Sequence, residues 1–392
     1  MIDAKKLEKL RNDTDGVKRV IHFNNAGSSL PPNFVRDAMI DYLKEESELG
    51  GYETHAKYFG QLESTYGLIA ELINANKEEI AIVENATVAW NAAFQSIVFD
   101  DGDEIVTNNS DYASNYLAYL HHPKNLTIKV LPTLSSGDPD VEALERYITG
   151  KTKLVSITHM PTNSGLVNPA EEIGKICNKK GILYLLDACQ SVGQYPVDVE
   201  EIGCDMLSTT GRKYLRAPRG TGFLYVKKSV QDQLNPNWID LHSAEWTGPT
   251  TYTIRKDARK FENWEGNRAA LIGLNRAIDY TLGVGPSEIW QRVQSLGQEL
   301  RSKLEKVDRV MVTDIGTVKS GIVSFTYKEL TAEEVKQRLF KSGINVSWNG
   351  VPNTYLDMTA RGLSEVIRAS VHYYNSSQEI DAFVNTLNKL GE

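Results

Sequence analysis

Short hydrophobic runs alternate with longer amphipathic segments through the first two-thirds of the chain. Several runs are rich in Val, Ile and Leu and apolar almost throughout, which predicts strands of a sheet that is covered on both faces. The predicted strands are EEIAIVENA, DEIVTNNS, LTIKVLPT, TKLVSITHM, GILYLLDA, CDMLSTT and TGFLYVKK. The predicted helices between them are ATVAWNAAFQSIVF, YASNYLAYLHH, PDVEALERYITG and AEEIGKICNKKG. This alternation predicts βαβ units and a mainly parallel sheet.

The pattern changes after about residue 285. GPSEIWQRVQSLGQELRSKLEKV predicts a long amphipathic helix that opens with a helix-start signal at Pro286. Further strand and helix patterns follow in GIVSFTY, TAEEVKQRLFKSG, INVSW, VIRASVHYY and SSQEIDAFVNTLNKLG. We therefore expect a large α/β lobe over residues 20–284 and a small α+β lobe over residues 1–19 and 285–392. Residues 242–267 show no clear periodicity, which predicts a long surface excursion.

Composition and charge limit the classes of partner. The 392 residues are 41% hydrophobic and 24% charged, which is typical of a soluble globular protein. No apolar run approaches the ~18 residues of a membrane helix, and the charged N-terminal segment does not resemble a signal peptide. The net charge of −8 argues against nucleic acid or an anionic membrane as partner. Cys177, Cys189 and Cys204 lack CxxC spacing, so we expect neither a disulfide framework nor a metal site, and a cytoplasmic location.

Two residues at the ends of hydrophobic runs carry candidate chemistry. Asp187 closes the strand GILYLLDA, and Lys213 follows in a small, polar turn between two later strands. An enzyme with an electron-sink cofactor needs an amine that forms a Schiff base and a carboxylate that keeps a pyridine nitrogen protonated. Each residue also has a simpler interpretation, because strand-end aspartates often cap turns and most lysines are solvated. Their combination with Gln190, one turn after Asp187, favours the cofactor site.

A phosphate site and a carboxylate clamp are also indicated. Thr87 begins a predicted helix, whose backbone N–H groups can bind phosphate, although a plain threonine N-cap is equally consistent with the pattern. Thr210 and Arg212 would supply the other phosphate contacts. Tyr112 is a candidate to stack on a flat cofactor ring or simply to pack in the core. Arg368 lies on a predicted strand as either a structural ion pair or a clamp for a substrate carboxylate.

The motifs DACQSVG, GRKYLRAPRGTG and IRAS occur in the order found in one enzyme family. From about FNNAGSSLPP to VIRASVHYYN the chain resembles the class V aminotransferase family of fold-type I pyridoxal-phosphate (PLP) enzymes. That family includes cysteine desulfurases, isopenicillin-N epimerase and several C–S lyases. The resemblance implies a mainly parallel seven-stranded sheet sandwiched by helices, with PLP as cofactor and an amino acid as substrate. It also implies a homodimer whose active sites are shared.

The resemblance assigns roles to individual residues. It implies that Lys213 forms the Schiff base, that Asp187 partners the pyridine nitrogen and that Arg368 binds the substrate carboxylate. The other cofactor contacts that it implies are Ala86, Thr87, Tyr112, Thr162, Gln190, Thr210 and Arg212. Glu265 and Gly266 match a segment that in relatives reaches the cofactor phosphate of the neighbouring subunit.

The chain also departs from the family pattern. Cysteine desulfurases need a nucleophilic cysteine on a small-lobe loop, and INVSWNGVPNTYLDMTARGLSE contains none, which disfavours desulfurase chemistry. Arg212 replaces a histidine that is common before the lysine. Arg212-Lys213 with APRG, the ELGGY segment and Tyr112 most resemble hercynylcysteine sulfoxide lyase, so we expect Cα deprotonation followed by β-elimination at a C–S bond. KYLRAPRGTGFL also resembles the epimerase branch, so an epimerase or a true aminotransferase stays open.

Other functional classes fit the sequence less well. A PLP-binding protein without turnover would be expected to lose Lys213 or Asp187, and both are present. A nicotinamide oxidoreductase would need a glycine fingerprint, whereas Gly220-Thr221-Gly222 runs directly into a strand. The candidate side chains for selecting among the PLP reactions are Tyr52, His55, Trp264, Trp348 and His372. For His372 the alternative of a packing residue on its strand stays open.

Overall fold

The computed structural model describes residues 2–390, so Met1, Gly391 and Glu392 of the predicted small lobe lie outside the described residues. The helices are α1 Ala4–Asn12, α2 Asn33–Leu49, α3 Gly51–Ile73, α4 Ala86–Gln95, α5 Ala113–His121, α6 Val141–Tyr147, α7 Ala170–Lys180, α8 Val199–Ile202, α9 Arg268–Val284, α10 Pro286–Leu304, α11 Ala332–Lys341, α12 Tyr355–Ala360 and α13 Ser377–Lys389. The strands are β1 Ile21–His22, β2 Ile80–Val83, β3 Glu104–Thr107, β4 Thr127–Val130, β5 Thr152–Thr158, β6 Leu183–Asp187, β7 Met206–Thr210, β8 Gly222–Val226, β9 Ala244–Gly248, β10 Thr251–Ile254, β11 Val310–Val312, β12 Ile322–Tyr327, β13 Ile344–Asn345, β14 Ser347–Gly350 and β15 Glu365–Ser370.

The largest sheet has seven strands in the order β2-β8-β7-β6-β5-β3-β4. Strands β3 to β7 pair in parallel, and β8 pairs antiparallel with both β2 and β7. Every residue of β3, β7 and β8 is buried, which explains why these sequences, apart from Glu104, are apolar or small without alternation. All of these strands correspond to predicted ones, and the predicted mainly parallel α/β fold is confirmed.

Helices cover both faces of this sheet and form two separate hydrophobic cores. Leu185 of β6 packs in one core with residues of α4 and α5, such as Phe94 and Tyr119. Its neighbour Leu186 packs in the other core, which includes residues of α3, α7 and α9. Successive side chains of a strand point to opposite faces, so one hydrophobic run supplies both cores.

A second, antiparallel sheet has four strands in the order β11-β12-β15-β14. Helices α10, α11 and α13 pack on it through Leu300, Val335 and Phe383. The N-terminal segment joins this part of the chain, because β1 pairs with β13 and Arg11 donates hydrogen bonds to Tyr374 O and Glu379 Oε1. The contacts of Arg11 support placing residues 1–19 with residues 285–392, whereas β1 pairs with this part of the chain although it lies within residues 20–284. We keep the division into lobes at residues 20–284 and at residues 1–19 with 285–392 as a proposal.

Residues 242–267 are mostly exposed or half-buried, as the predicted surface excursion requires, and contain an antiparallel hairpin of β9 and β10 that the sequence did not predict because its exposed side chains give no hydrophobic alternation. Two local predictions were wrong. The segment INVSW divides into β13 and β14, which join different sheets. The strand VIRASVHYY ends at Ser370, so His372 lies beyond it. Within residues 2–390, no helix is both long and apolar enough to cross a bilayer.

The close contact between α7 and α8 allows a test of how the helices pack on the large sheet. A Cβ at Gly174 in α7 would lie 1.8 Å from the carbonyl oxygen of Ile202 in α8. We expect Gly174→Ala to lower the free energy of unfolding by about 1–3 kcal/mol, the usual cost of overpacking, in a urea titration. In the control Gly67→Ala the new Cβ meets no atom within 4 Å, so helix propensity should raise stability by about 0.5–1 kcal/mol. An unchanged midpoint for Gly174→Ala would contradict this packing.

Candidate active site

A cavity of about 500 Å³, the sheet-edge cavity, lies at the carboxyl ends of β5, β6 and β7. These strands are parallel neighbours, so the loops that leave them begin at the same edge of the sheet. The cavity is lined by Asn85, Ala86, Thr87, Val88, Tyr112, Thr158, Met160, Thr162, Asp187, Cys189, Gln190, Thr210, Arg212 and Lys213. The structure therefore brings together the predicted cofactor residues except Glu265 and Gly266.

Asp187 is the last residue of β6 and is buried at the floor of this cavity. Its Oδ1 accepts a hydrogen bond from the backbone N–H of Cys189 at 3.0 Å. Its Oδ2 accepts one from Asn115 Nδ2, also at 3.0 Å. Two donors, one on each oxygen, fix the orientation of the carboxylate. A buried carboxylate in this position can partner a cationic ring nitrogen.

Lys213 lies in the loop after β7 and lines the same cavity as Asp187. Burial lowers the pKa of its amine, and the charges of Arg212 and Arg368 lower it further against the opposing effect of Asp187. A lysine with a lowered pKa has more of its amine in the neutral, nucleophilic form. The setting therefore suits an amine that bonds to an aldehyde.

His372 hydrogen-bonds the loop that carries Lys213. Its Nδ1 accepts the backbone N–H of Tyr373 at 2.9 Å, so its Nε2 carries the proton that is donated to Tyr214 O at 2.9 Å. The ring is fully buried, and burial lowers its pKa well below the ordinary range. His372 therefore packs against the residue next to Lys213, and it does not line the sheet-edge cavity.

The start of α4 lines the sheet-edge cavity with backbone N–H groups that can bind a phosphate. Asn85 is the N-cap, with its Oδ1 accepting the N–H of Val88 at 3.1 Å, so the alternative of a Thr87 N-cap was wrong. The N–H groups of Ala86 and Thr87 precede any intrahelical acceptor and can bind an anion. At Gly222 a Cβ would lie 3.0 Å from the carbonyl carbon of Asn85, so this glycine allows α4 to begin close to β8.

Gln190 and Tyr112 carry features that indicate a flat, polar ligand. Gln190 Nε2 donates to Ala26 O at 3.2 Å, whereas its buried Oε1 has no partner within residues 2–390. A buried polar acceptor without a partner beside a cavity is suited to a hydrogen-bond donor of a bound ligand. The side chain of Tyr112 is 37% exposed and lines the cavity, so its ring is accessible for stacking.

Arg368 connects the small sheet to this cavity. From β15 its Nε donates to Ser347 Oγ at 3.0 Å and its Nη1 to Thr162 O at 3.1 Å, with Thr162 Oγ1 as a further partner. These partners are neutral, and burial lowers the pKa of Arg368 to about 10. A buried guanidinium that is held by neutral groups can take an anionic partner, which favours the carboxylate clamp over a structural ion pair.

The remaining predicted residues lie elsewhere. Glu265 and Gly266 line a separate cavity of about 810 Å³ together with Tyr52, His55 and Trp264. Within one chain they are therefore not placed with Lys213. Trp348 lies on β14 and lines neither cavity.

Sequence reasoning missed several residues that line or support the sheet-edge cavity. They are Asn85, Asn115, Thr158, Met160 and Cys189. Asn85 had a readable signal, because an asparagine directly before a helix pattern is a typical N-cap. The contact of Asn115 with Asp187 had none, because it depends on the order of strands in the sheet.

Comparisons with known proteins agree with this geometry. The sequence model described as Aminotransferase class-V matches residues 21–383. The chain belongs to the class V aminotransferase family. A probable cysteine desulfurase of Methanothermobacter thermautotrophicus is 29% identical over 392 residues, covering 98% of each chain. One of Pyrococcus abyssi is 28% identical over 391 residues, covering 98% of this chain and 97% of its own. The apo cysteine desulfurase structure from Thermococcus onnurineus NA1 has a TM-score of 0.91 and 27% identity, covering 98% of this chain and 97% of that one.

These relatives correct the predicted reaction. The preference for a hercynylcysteine sulfoxide lyase was wrong, because it rested on short segments around Lys213, whereas relatives that match the whole chain are named cysteine desulfurases. The argument against a desulfurase, which rested on the missing small-lobe cysteine, was wrong because these same relatives are named cysteine desulfurases. The sequence fact behind it stands, since residues 205–392 contain no cysteine.

The class V family is PLP-dependent, and the sheet-edge cavity fits this cofactor. It offers a helix start for the phosphate, a buried carboxylate, an amine of lowered pKa and an unpaired amide oxygen on Gln190. The cofactor assignment to PLP is therefore confirmed.

The lowered pKa of Lys213 predicts how cofactor capture depends on pH. Only the neutral amine attacks an aldehyde, and a lower pKa leaves more amine neutral at a given pH. We therefore expect the rate of PLP capture by the apo protein to rise with pH and level off with a midpoint below 10.5, the ordinary lysine value. Stopped-flow absorbance across a pH series measures this rate, with Lys213→Ala as the control without capture. A midpoint at or above the ordinary value would refute the assigned environment.

Proposed function

We propose that this protein is a PLP-dependent enzyme that removes the sulfur atom from L-cysteine by breaking its Cβ–Sγ bond. The observation that carries the proposal is the convergence of Lys213, Asp187 and the helix start at Ala86 in one cavity, with Arg368 bonded to its rim residue Thr162. The whole-chain similarity to proteins named cysteine desulfurases supports L-cysteine as the substrate.

The roles of the residues follow from their positions. PLP, when bound, supplies an electron sink for the charge that develops as an amino acid loses its Cα proton. Asp187 would hold a proton on the ring nitrogen, and Gln190 would bond the ring hydroxyl through its free Oε1. Arg368 would bind the substrate carboxylate. The amine of Lys213 would move the Cα proton, since its lowered pKa leaves more of the amine in the neutral form that accepts a proton.

The positions of the cysteines bear on where the sulfur goes. Cys177 and Cys204 are buried in the core, and residues 205–392 contain no cysteine. Cys189 lines the sheet-edge cavity, but burial raises the pKa of its thiol, which disfavours the thiolate. We therefore propose an acceptor thiol from outside the chain. The acceptor RSH takes the sulfur as RSSH, Cβ gains a hydrogen in its place, and alanine is released.

A product assay tests this function. The holoenzyme is incubated with L-cysteine and dithiothreitol, and alanine, sulfide and pyruvate are quantified. We expect equal amounts of alanine and sulfide, because the reduced acceptor releases the sulfur, and no pyruvate. Lys213→Ala should abolish both products, whereas Lys153→Ala, at an exposed lysine of β5, should retain them. Pyruvate in place of alanine would show elimination without sulfur transfer, and the absence of all three products would refute C–S cleavage of L-cysteine.

We also propose a homodimer in which each chain completes the active site of the other. The cavity that contains Glu265 and Gly266 has exposed aromatic side chains around it, namely Tyr52, Phe59 and Trp264. A group of exposed aromatic residues is typical of a protein interface. In the proposed dimer, the backbone at Gly266 of one chain meets the cofactor phosphate of the second copy.

Complementation between two inactive variants tests this arrangement. The nearest atom to a Cβ at Gly266 is 3.9 Å away, so Gly266→Asp fits its own chain but places a negative charge at the phosphate of the second copy. Gly266→Asp and Lys213→Ala should each lose activity. After subunit exchange, half of the dimers should be mixed with one intact site each, restoring about a quarter of the wild-type activity. No recovery in a verified mixed dimer would show that residue 266 acts within its own chain.

A further inference from the structure

The carboxylate of Asp111 joins the ends of two neighbouring strands of the large sheet. Thr107 ends β3 and Thr158 ends β5, and their hydroxyl groups donate to Asp111 at 3.0 and 2.7 Å. Tyr119 of α5 donates its hydroxyl to Asp111 Oδ2 at 2.8 Å. Asp111 is only 4% exposed, so this carboxylate is a buried anchor beside the sheet-edge cavity.

Asn115 extends this anchor to the next strand. Its Nδ2 lies 3.0 Å from Asp187 Oδ2 and 3.3 Å from Asp111 Oδ1. An amide NH₂ group has two hydrogens, so it can donate one to each carboxylate. Thr158 and Asp187 are paired neighbours in β5 and β6. The chain Thr158–Asp111–Asn115–Asp187 is therefore a continuous set of hydrogen bonds across adjacent strand ends.

The same anchor fixes the start of α5. Asp111 Oδ1 accepts the backbone N–H of Tyr112 at 2.8 Å, and Thr158 Oγ1 lies 3.0 Å from that N–H. Tyr112 is the proposed stacking residue, and Asn115 follows it by one helical turn. Asp111 thereby sets the position of Tyr112, which we place at the face of the cofactor ring, and of Asn115, which bonds Asp187.

Two buried carboxylates at this spacing repel each other. Burial raises the pKa of Asp111 to about 6, and the charge of Asp187 adds to that effect. The amide of Asn115 lies between them and offsets the repulsion by donating to both. If this donor is removed, the Asp187 carboxylate keeps its hydrogen bonds to Cys189 but loses the donor on Oδ2 that comes from α5, so the carboxylate is less restrained in rotation about its terminal torsion.

We propose that Asn115, anchored by Asp111, is a positioning residue that holds the Asp187 carboxylate in the orientation needed to bind the pyridine nitrogen of PLP. The inference rests on the proposed role of Asp187. It predicts that Asn115 affects the cofactor only through Asp187.

A double-mutant cycle on cofactor affinity tests this inference. Asn115→Leu removes the donor with little change in size, and Asp187→Asn removes the carboxylate. A charge-assisted hydrogen bond contributes enough that we expect Asn115→Leu to weaken PLP binding on the order of 10-fold. The double variant should bind PLP no more weakly than Asp187→Asn alone. The pH at which the absorbance of the bound cofactor changes should also shift in Asn115→Leu.

Asn275 provides a matched control, because it is also a buried asparagine whose Nδ2 donates to Gln61 O and Ser64 Oγ, between α9 and α3. Asn275→Leu should keep the wild-type affinity and pH profile for PLP. If Asn115→Leu does not fold, Asn115→Ala, whose side chain has no hydrogen-bond donor, takes its place. Failure of both to fold beside a folded Asn275→Leu would show a purely structural role and overturn the inference.

The remaining outcomes separate this inference from the proposed function. Wild-type affinity in Asn115→Leu with impaired binding in Asp187→Asn would overturn the role of Asn115 alone. If the fold losses of PLP affinity from the two single variants multiply in the double variant, Asn115 acts independently of Asp187. That result would also overturn the role of Asn115. Wild-type affinity in Asp187→Asn would reject the role of Asp187 itself, and the inference with it.

Discussion

The parallel pairing of β5, β6 and β7 is the constraint on which the site depends. In this register Thr158 lies beside Asp187, and Asp187 beside Ser208, so the loops that follow the three strands begin side by side. Parallel strands carry their carboxyl ends to one edge of a sheet, where ligands bind. The antiparallel strand β8 then brings Gly222 against the start of α4. Carboxylate, amine and phosphate position converge because of this one topology.

Burial gives the converged groups their chemistry. Burial lowers the pKa of Lys213 and of Arg368 and raises the pKa of Asp111. The charged form of each group is therefore stabilised by neighbouring protein groups in place of water. Perturbed groups that share a cavity are typical of an active site. The Asp187 carboxylate accepts hydrogen bonds from Asn115 in α5 and from the backbone N–H of Cys189 in the turn after β6. Its position therefore depends on how α5 packs at this edge of the sheet.

The sequence predicted the strands of the large sheet because most of them are buried on both faces and stand between turn signals. The hairpin of β9 and β10 was missed because its exposed side chains leave no hydrophobic pattern. Asp187, Lys213 and Arg368 were predicted as site residues from residue type and motif order. Asn115 was not predicted, because its contact with Asp187 joins residues 72 positions apart. Such a contact can be inferred only when the order of β3, β5 and β6 in the sheet is known. The reaction itself was misjudged, since a few short segments outweighed similarity along the whole chain.

The central claim is that PLP binds in the sheet-edge cavity through Lys213. Borohydride reduction of the cofactor-loaded protein, followed by proteolysis and mass spectrometry, identifies the lysine that carries the cofactor. The account predicts one modified peptide, with the label on Lys213 and one label for each chain. A label on a different lysine, or no label on a protein that binds PLP, would contradict it.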